Sequence, residues 1–342
     1  MPVTNGPFKS PVWHAGLAAK SLASDRLLKN SIMRNSGPAI SQEIWHRMRD
    51  LILTSIARDQ WFHARRLLSW SVRRLRSPRE KFAKFRCNVC GKNSSFPRRE
   101  LTREQWSCRH CGSTVRWRSV VHALSVALFG ESLVIQDFPD RPNLIGIGMS
   151  DWDGYALRLS RKLGYTNTYY HKDPKFDITC IENDQSGRYD FIISSDVFEH
   201  VCAPISRAFE NSYRLLKPGG VMILTVPCVD GDTREHFPNV RRFSIEREGE
   251  SFVLVGITED GSIEKHNRLI FHGGPGTTVE CRIFGSKGLM RECESAGFDS
   301  VRILDDSVER FGIVWSDSPI DSAPHARGIV GLNAPPWLLA KR

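Results

Sequence analysis

The sequence predicts an α/β protein, a doubly wound and mostly parallel sheet preceded by basic helices and a small cysteine module. Three observations predict it. From Asn143 onward, short apolar runs of strand length alternate with segments of helical period. Two Cys-x2-Cys pairs, Cys87/Cys90 and Cys108/Cys111, are separated by seventeen residues. Charge is uneven: the chain carries a net +10, and residues 47–86 hold 12 Lys and Arg against 3 Asp and Glu, so the remainder is near neutral.

The elements follow in order. Residues 1–40 are polar, with scattered Pro and Gly, and read as irregular with a short helix over 16–29. Ile44, Met48, Leu51, Ile52 and Ile56, then Trp61, Ala64, Leu68, Val72 and Leu75, recur at helical spacing, with arginines largely off the apolar stripe. This N-terminal segment of irregular chain and basic amphipathic helices is placed at 1–84, and the cysteine module at 85–118. Residues 119–129 are again helical. Leu144 to Gly148 is the first strand, Trp152 to Leu163 a helix, Thr166 to His171 a second strand and Asp177 to Thr179 a short third. Phe191 to Ile193 and Val221 to Val226 are buried parallel strands four and five. The helix between them opens at Pro204 and ends at Pro218-Gly219-Gly220. Residues 228–284 break the rhythm as an insert with a hairpin around Asp260-Gly261. A helix over 286–296 stops at Gly297, Phe298 to Leu304 is a strand, and 312–315 is expected as a last one. The α/β domain thus spans 119–317, with an extended tail over 318–342.

The cysteine spacing suits four thiolates converging on one tetrahedral ion at about 2.3 Å, each pair supplied by one tight loop. Gly91 and Gly112 directly follow the second cysteine of each pair and permit the positive φ such loops use. Cys87, Cys90, Cys108 and Cys111 are therefore assigned to a structural zinc ion, with no ligand position left for a substrate. Arg98, Arg99, Arg103, Arg109, Arg116 and Arg118 decorate the module and read as a solvated charged face or a docking surface. Cys180, Cys202, Cys228, Cys281 and Cys293 are expected to be ordinary buried thiols. No run of 18 apolar residues exists, so a membrane-spanning helix is not expected. No secretory signal is read at the N-terminus, and the expected location is the cytoplasm.

Residues 190–227, strand, polar elbow Ser195-Asp196, helix, turn and strand, resemble the central unit of class I S-adenosylmethionine (SAM) methyltransferases, which have a Rossmann-like sheet. The paired cysteines followed by Cys-Gly-Ser, the α/β domain, and Arg282 to Gly285 leading to Ala296-Gly297-Phe298 resemble a bacterial group with an N-terminal zinc ribbon. That resemblance covers roughly 85–304. It implies SAM bound over the carboxyl ends of the strands, with Gly146, Gly148, Ser150 and Asp151 as the first loop; the family's third glycine is Ser150 here. It implies Asp173 near the ribose, or else an exposed carboxylate, and Asp177 near adenine, or else a turn cap. Ser195 and Asp196 line the cleft in similar proteins.

The resemblance implies a transferase that carries methyl to an acceptor by in-line displacement. Family context points to O-methylation of a glycan or related small molecule. His200, His236 and His272 are the candidate bases, since an imidazole titrates near neutral pH. For His200 the alternative is bracing of the following helix. Arg282 is the candidate for an acidic group on the substrate, the alternative being a bracing arginine. Competing readings are an RNA methyltransferase gripping phosphates with the ribbon and basic helices, a non-catalytic scaffold of the same fold, and peripheral contact with anionic membrane through 47–86.

Overall fold

The computed structural model describes residues 81–272, 274–304, 306–315 and 337–342, all within one compact unit spanning 66–342. The basic helices and the proposed membrane-contacting stretch lie outside the described residues, apart from 81–86.

A hairpin comes first, β1 (Phe82–Arg86) against β2 (Asn93–Pro97). Helix α1 (Val115–Phe129) follows the second cysteine pair; Thr114 caps it by accepting from the Trp117 amide, and Gly130 ends it in the left-handed region. The main sheet then begins with β3 (Arg141–Met149), α2 (Asp153–Leu159), β4 (Leu163–Thr168), β5 (Tyr189–Ser195), α3 (Ser206–Leu215) and β6 (Leu216–Thr225). The insert supplies β7 (Cys228–Val229), β8 (Arg234–Glu235), β9 (Val240–Glu248), β10 (Ser251–Thr258), β11 (Ile263–His266), β12 (Phe271–His272) and β13 (Thr278–Val279). The chain returns through β14 (Arg282–Gly285), α4 (Ser286–Ala296), β15 (Ser300–Ile303) and β16 (Trp337–Lys341).

The six-stranded sheet has the order β15-β16-β6-β5-β3-β4. Strands β4, β3, β5 and β6 are parallel, and β16 runs antiparallel between β6 and β15. Both faces are covered, as the runs without polar alternation require. On β5, Phe191 and Ile193 join the core formed with Leu124, Tyr155 and Leu159, and Ile192 joins the opposite core with Phe209, Leu224 and Leu289. Each such buried side chain contributes about 1.5–3 kcal/mol of transfer free energy. The ribbon is not a separate bead: Phe85, Val89, Phe96 and Leu101 lie in the same core as Phe191 and Ile193.

Three expectations are corrected. Residues 177–179 form no strand, because Asp177 folds back to accept hydrogen bonds from the amide and hydroxyl of Thr179. The tail expected simply as extended chain over 318–342 ends in a sheet strand, since Trp337–Lys341 pairs with β6 and β15. Residues 312–315 contribute an isolated bridge, Val308 to Ile313, in place of a strand. The hairpin around Gly261 is present as β10 and β11, extended by β9 into a three-stranded sheet.

Candidate functional site

A cleft of about 1620 Å³ opens at the carboxyl ends of β3, β4 and β5, between the ribbon and the insert. Open α/β sheets bind ligands at this edge. Ser150, directly after β3, and Asp196, directly after β5, both take left-handed backbone, at φ 57° and 56°. A non-glycine residue there is uncommon and marks a tightly held bend. Both residues line the cleft.

The β3 bend is held from beneath. Asp151 exchanges hydrogen bonds with Asn167, its amide donating to Oδ1 and its carbonyl accepting from Nδ2, both at 2.9 Å. The buried Asp151 carboxylate accepts from the hydroxyls of Tyr155 and Tyr165, each at 2.5 Å. Burial pushes its carboxyl up to about 7, against the opposing pull of the two hydroxyls and Arg116. Gly148 makes this arrangement possible, for a Cβ there would stand 1.9 Å from the Tyr165 hydroxyl and 2.2 Å from Asp151 Oδ2. A Cβ at Gly146 would meet the Phe191 ring at 2.1 Å. Both glycines admit protein side chains. Gly146, Gly148 and Asp151 support the bend and do not line the cleft.

The floor at β5 is an ion cluster that reaches across from the ribbon. Arg103 grips Asp196 with both terminal nitrogens, at 2.5 and 2.8 Å. Arg116 Nε stands 3.2 Å from Asp196 Oδ2, and its NH1 donates to Ser195 Oγ at 2.6 Å. Glu104 bridges the two arginines. Burial alone would raise the Asp196 carboxyl, but Arg103 and Arg116 outweigh it and hold it at about 2. Trp117 stacks on Trp152 with ring centroids 4.0 Å apart, tying α1 to the start of α2. The expectation that these arginines form a solvated face is therefore corrected for Arg103 and Arg116, and for Arg118. Arg118 is fully buried and donates to Ser113, Ser107 and the Gly312 carbonyl.

The four cysteine sulfurs lie within 4.8 Å of one another, with Cys87–Cys111 and Cys90–Cys108 each at 3.7 Å. A tetrahedral ion with bonds of about 2.3 Å requires sulfur–sulfur edges of about 3.8 Å. Gly91 and Gly112 sit at φ 73° and 78° in the two loops. The buried Arg118 guanidinium beside them offsets the thiolate charge that such a centre carries.

The predicted bases divide. His200 and His272 line the cleft, and their rings meet at 3.1 Å. His236 does not line it, and its Nε2 is buried among its neighbours. Arg282 does not reach it either: its side chain is fully buried, donating to Glu235 at 2.7 Å and to the Phe198 carbonyl at 2.5 Å. It braces the elbow after β5. Asp173 is exposed and off the cleft, while Asp177 lines it with one carboxylate oxygen committed to Thr179. Sequence reasoning missed Arg103, Arg116 and Glu199, which is fully buried with neither carboxylate oxygen hydrogen-bonded. Of the remaining thiols, Cys228, Cys281 and Cys293 are buried, whereas Cys180 is exposed. Among the described residues no helix is long and apolar enough to cross a membrane.

Residues 138–303 match the model of a family described as a methyltransferase domain. The match runs from just before β3 to the end of β15 and supports a class I methyltransferase domain over that part of the chain. No curated protein matches the chain. Solved structures similar to it include a SAM-dependent methyltransferase from Mesorhizobium loti, at 13% identity, covering 68% of this chain and 100% of that one, with a TM-score of 0.35. Another is the 1,6-didemethyltoxoflavin-N1-methyltransferase of Burkholderia thailandensis, at 11% identity over 90% and 92% of the two chains, TM-score 0.33. A possible histamine N-methyltransferase from Thermotoga maritima shares 15% identity over 66% and 93%, TM-score 0.30.

Proposed function

We propose that the protein is a SAM-dependent methyltransferase that methylates a hydroxyl oxygen of a glycan or related small molecule, with a structural zinc ion in its four-cysteine ribbon. The observation that carries the reading is the pair of left-handed residues, Ser150 and Asp196, at the carboxyl ends of adjacent strands and facing one deep cleft. Its volume exceeds the 300–1,000 Å³ or so that small-ligand pockets occupy, so cofactor and acceptor fit together. Ser150, Asp177, Ser195 and the walls over β4 would hold SAM, which when bound supplies a methyl group activated by positive sulfur.

The chain's own groups do the remaining work. Arg103 and Arg116 fix the Asp196 carboxylate in one orientation and keep it ionised, so the floor under the reacting atoms is set before substrate arrives. Trp117 and Trp152 close the side of the cleft from water. His200 and His272 stand where an acceptor hydroxyl would present its proton. Burial holds the His200 ring below its ordinary value and hence neutral at pH 7. Arg207, Arg241 and Arg242 line the same cleft and favour an acceptor carrying negative charge.

Calorimetric titration with S-adenosylhomocysteine tests the cofactor half of the reading. Saturable one-to-one binding is expected, and no heat at millimolar ligand would leave only a scaffold. Incubation with methyl-labelled SAM and separate acceptor pools of acidic glycans, hydroxylated small molecules and RNA tests the acceptor half. Label is expected in the glycan or small-molecule pools; label in RNA alone would replace this reading with the nucleic-acid one.

A further inference from the structure

At the acceptor-side wall of the cleft, three groups converge, and the carboxylate among them has no hydrogen-bond partner. His200 Nδ1 lies 2.7 Å from the Val279 carbonyl, which can only accept, so that nitrogen carries the ring proton and Nε2 carries the lone pair. His272 Nε2 faces the buried Glu280 carboxylate, which places the proton there and the lone pair on Nδ1. With both rings neutral, these two lone pairs face each other across 3.1 Å, and the contact is attractive only with a proton or a cation between them. The third group is Glu199, whose side chain is 1% exposed and whose two oxygens have no hydrogen-bond donor. Its Oε1 stands 3.7 Å from each of the two imidazole nitrogens.

We propose that Glu199 Oε1, His200 Nε2 and His272 Nδ1 hold a divalent first-row metal ion at the acceptor end of the cleft, separate from the ribbon's four cysteines. The geometry suits one. A triangle with sides of 3.1, 3.7 and 3.7 Å has a point about 2.0 Å from all three corners, the length of a metal–imidazole or metal–carboxylate bond. The outer partners are those a metal-bound histidine has, a backbone carbonyl on one ring and a carboxylate on the other, each fixing the tautomer that frees the ligating nitrogen. A cation would also supply the positive charge that the buried Glu199 lacks.

Two imidazoles and one carboxylate select Mn²⁺, Fe²⁺, Co²⁺ or Zn²⁺ over Mg²⁺ or Ca²⁺. Three protein ligands leave coordination positions for the cleft that His200 and His272 line. Those positions suit an acceptor with two neighbouring oxygens, such as a vicinal diol or a hydroxy acid. That last step rests on the methyltransferase reading and replaces direct proton transfer to the two rings, whose free nitrogens the ion would occupy: a hydroxyl bound to the ion loses its proton more readily and is oriented by its neighbour.

The test uses the full-length protein with its cysteine site loaded with zinc, and neither SAM nor acceptor. Titration with Mn²⁺ followed by electron paramagnetic resonance is expected to show one saturable site per chain while one zinc is retained. Glu199→Gln and His272→Gln are each expected to weaken Mn²⁺ binding at least tenfold. Retention of the ribbon zinc reports that each variant is folded, and the half-exposed His272 position carries the test if Glu199→Gln fails that check. Absence of both Mn²⁺ binding and a second zinc equivalent in the unaltered protein would overturn the proposal. Unchanged binding in the folded variants would also overturn it. Since no cofactor enters the measurement, either failure leaves the methyltransferase reading standing, and failure to bind SAM leaves the metal result standing.

Discussion

Asp151→Asn is expected to make the protein more stable at neutral and alkaline pH. The carboxyl moves from 3.8 to about 7 because it is buried beneath the β3 bend. That is about 3 units, each worth 1.36 kcal/mol, or about 4 kcal/mol in all. The sign follows from proton counting. Between the two values the folded protein holds a proton that the unfolded chain has released, so stability falls as pH rises through that window, and the loss is complete above about 7. An asparagine carries no such penalty. Its oxygen can accept from one tyrosine hydroxyl and its amide can donate to the other, so the partners Tyr155 and Tyr165 remain satisfied. Urea unfolding of both proteins, zinc-loaded, is expected to show the variant ahead by roughly 3 kcal/mol at pH 6 and roughly 4 kcal/mol at pH 8. A variant less stable than its parent at pH 8, or a gap that does not change between pH 6 and 8, would refute the ionisation argument.

Three further outcomes follow from the same geometry. Gly148→Ala forces a Cβ into the Tyr165 hydroxyl and the Asp151 carboxylate, and is expected to cost about 1–3 kcal/mol by urea unfolding and to weaken S-adenosylhomocysteine binding by calorimetry. Arg103→Leu removes the two-pronged partner of Asp196 while Arg116 remains at 3.2 Å, so a loss of about 3 kcal/mol is expected on unfolding, the low end for a broken buried pair. Removing zinc with a chelator, or Cys108→Ser, is expected to forfeit of order 10 kcal/mol of metal-linked folding energy. It should also abolish the near-ultraviolet dichroism of the Trp117–Trp152 stack, because α1 follows directly from the second cysteine loop.

Much of the sheet was legible because its strands are buried on both faces. Phe191 to Ile193 and Val221 to Val226 are continuous apolar runs, and such runs leave few alternatives to a central parallel strand. The cysteine pairs were legible because ligand spacing is local. What escaped reading depends on distant pairing. Trp337–Lys341 is a short run after a proline-containing tail, and it becomes a strand only because β6 and β15 leave a gap between them. The resemblance assigns the glycines after Leu144 to a cofactor loop, whereas the space over their α-carbons is taken by Phe191, Tyr165 and Asp151, which lie 15 or more residues away or across a bend. His272 was singled out by residue type, but its partners Glu199 and His200 lie more than 70 residues earlier in the chain and meet it only through the insert.

The arginines change what the ribbon is for. On sequence alone it is a module stapled by metal, with charges turned to solvent. In the structure Arg103 lies inside the ribbon loops and Arg116 one residue into α1, and both end on Asp196 at the tip of β5. The family model covers 138–303 and so omits both residues. A methyltransferase domain cut at that boundary would leave Asp196 with neither counter-charge. Loss of the two guanidinium groups that hold its carboxyl at about 2 would move it upward. The ribbon is thus a wall of the site, and a metal ion held by its four cysteines would act on the cleft by keeping two guanidinium groups in register with one carboxylate.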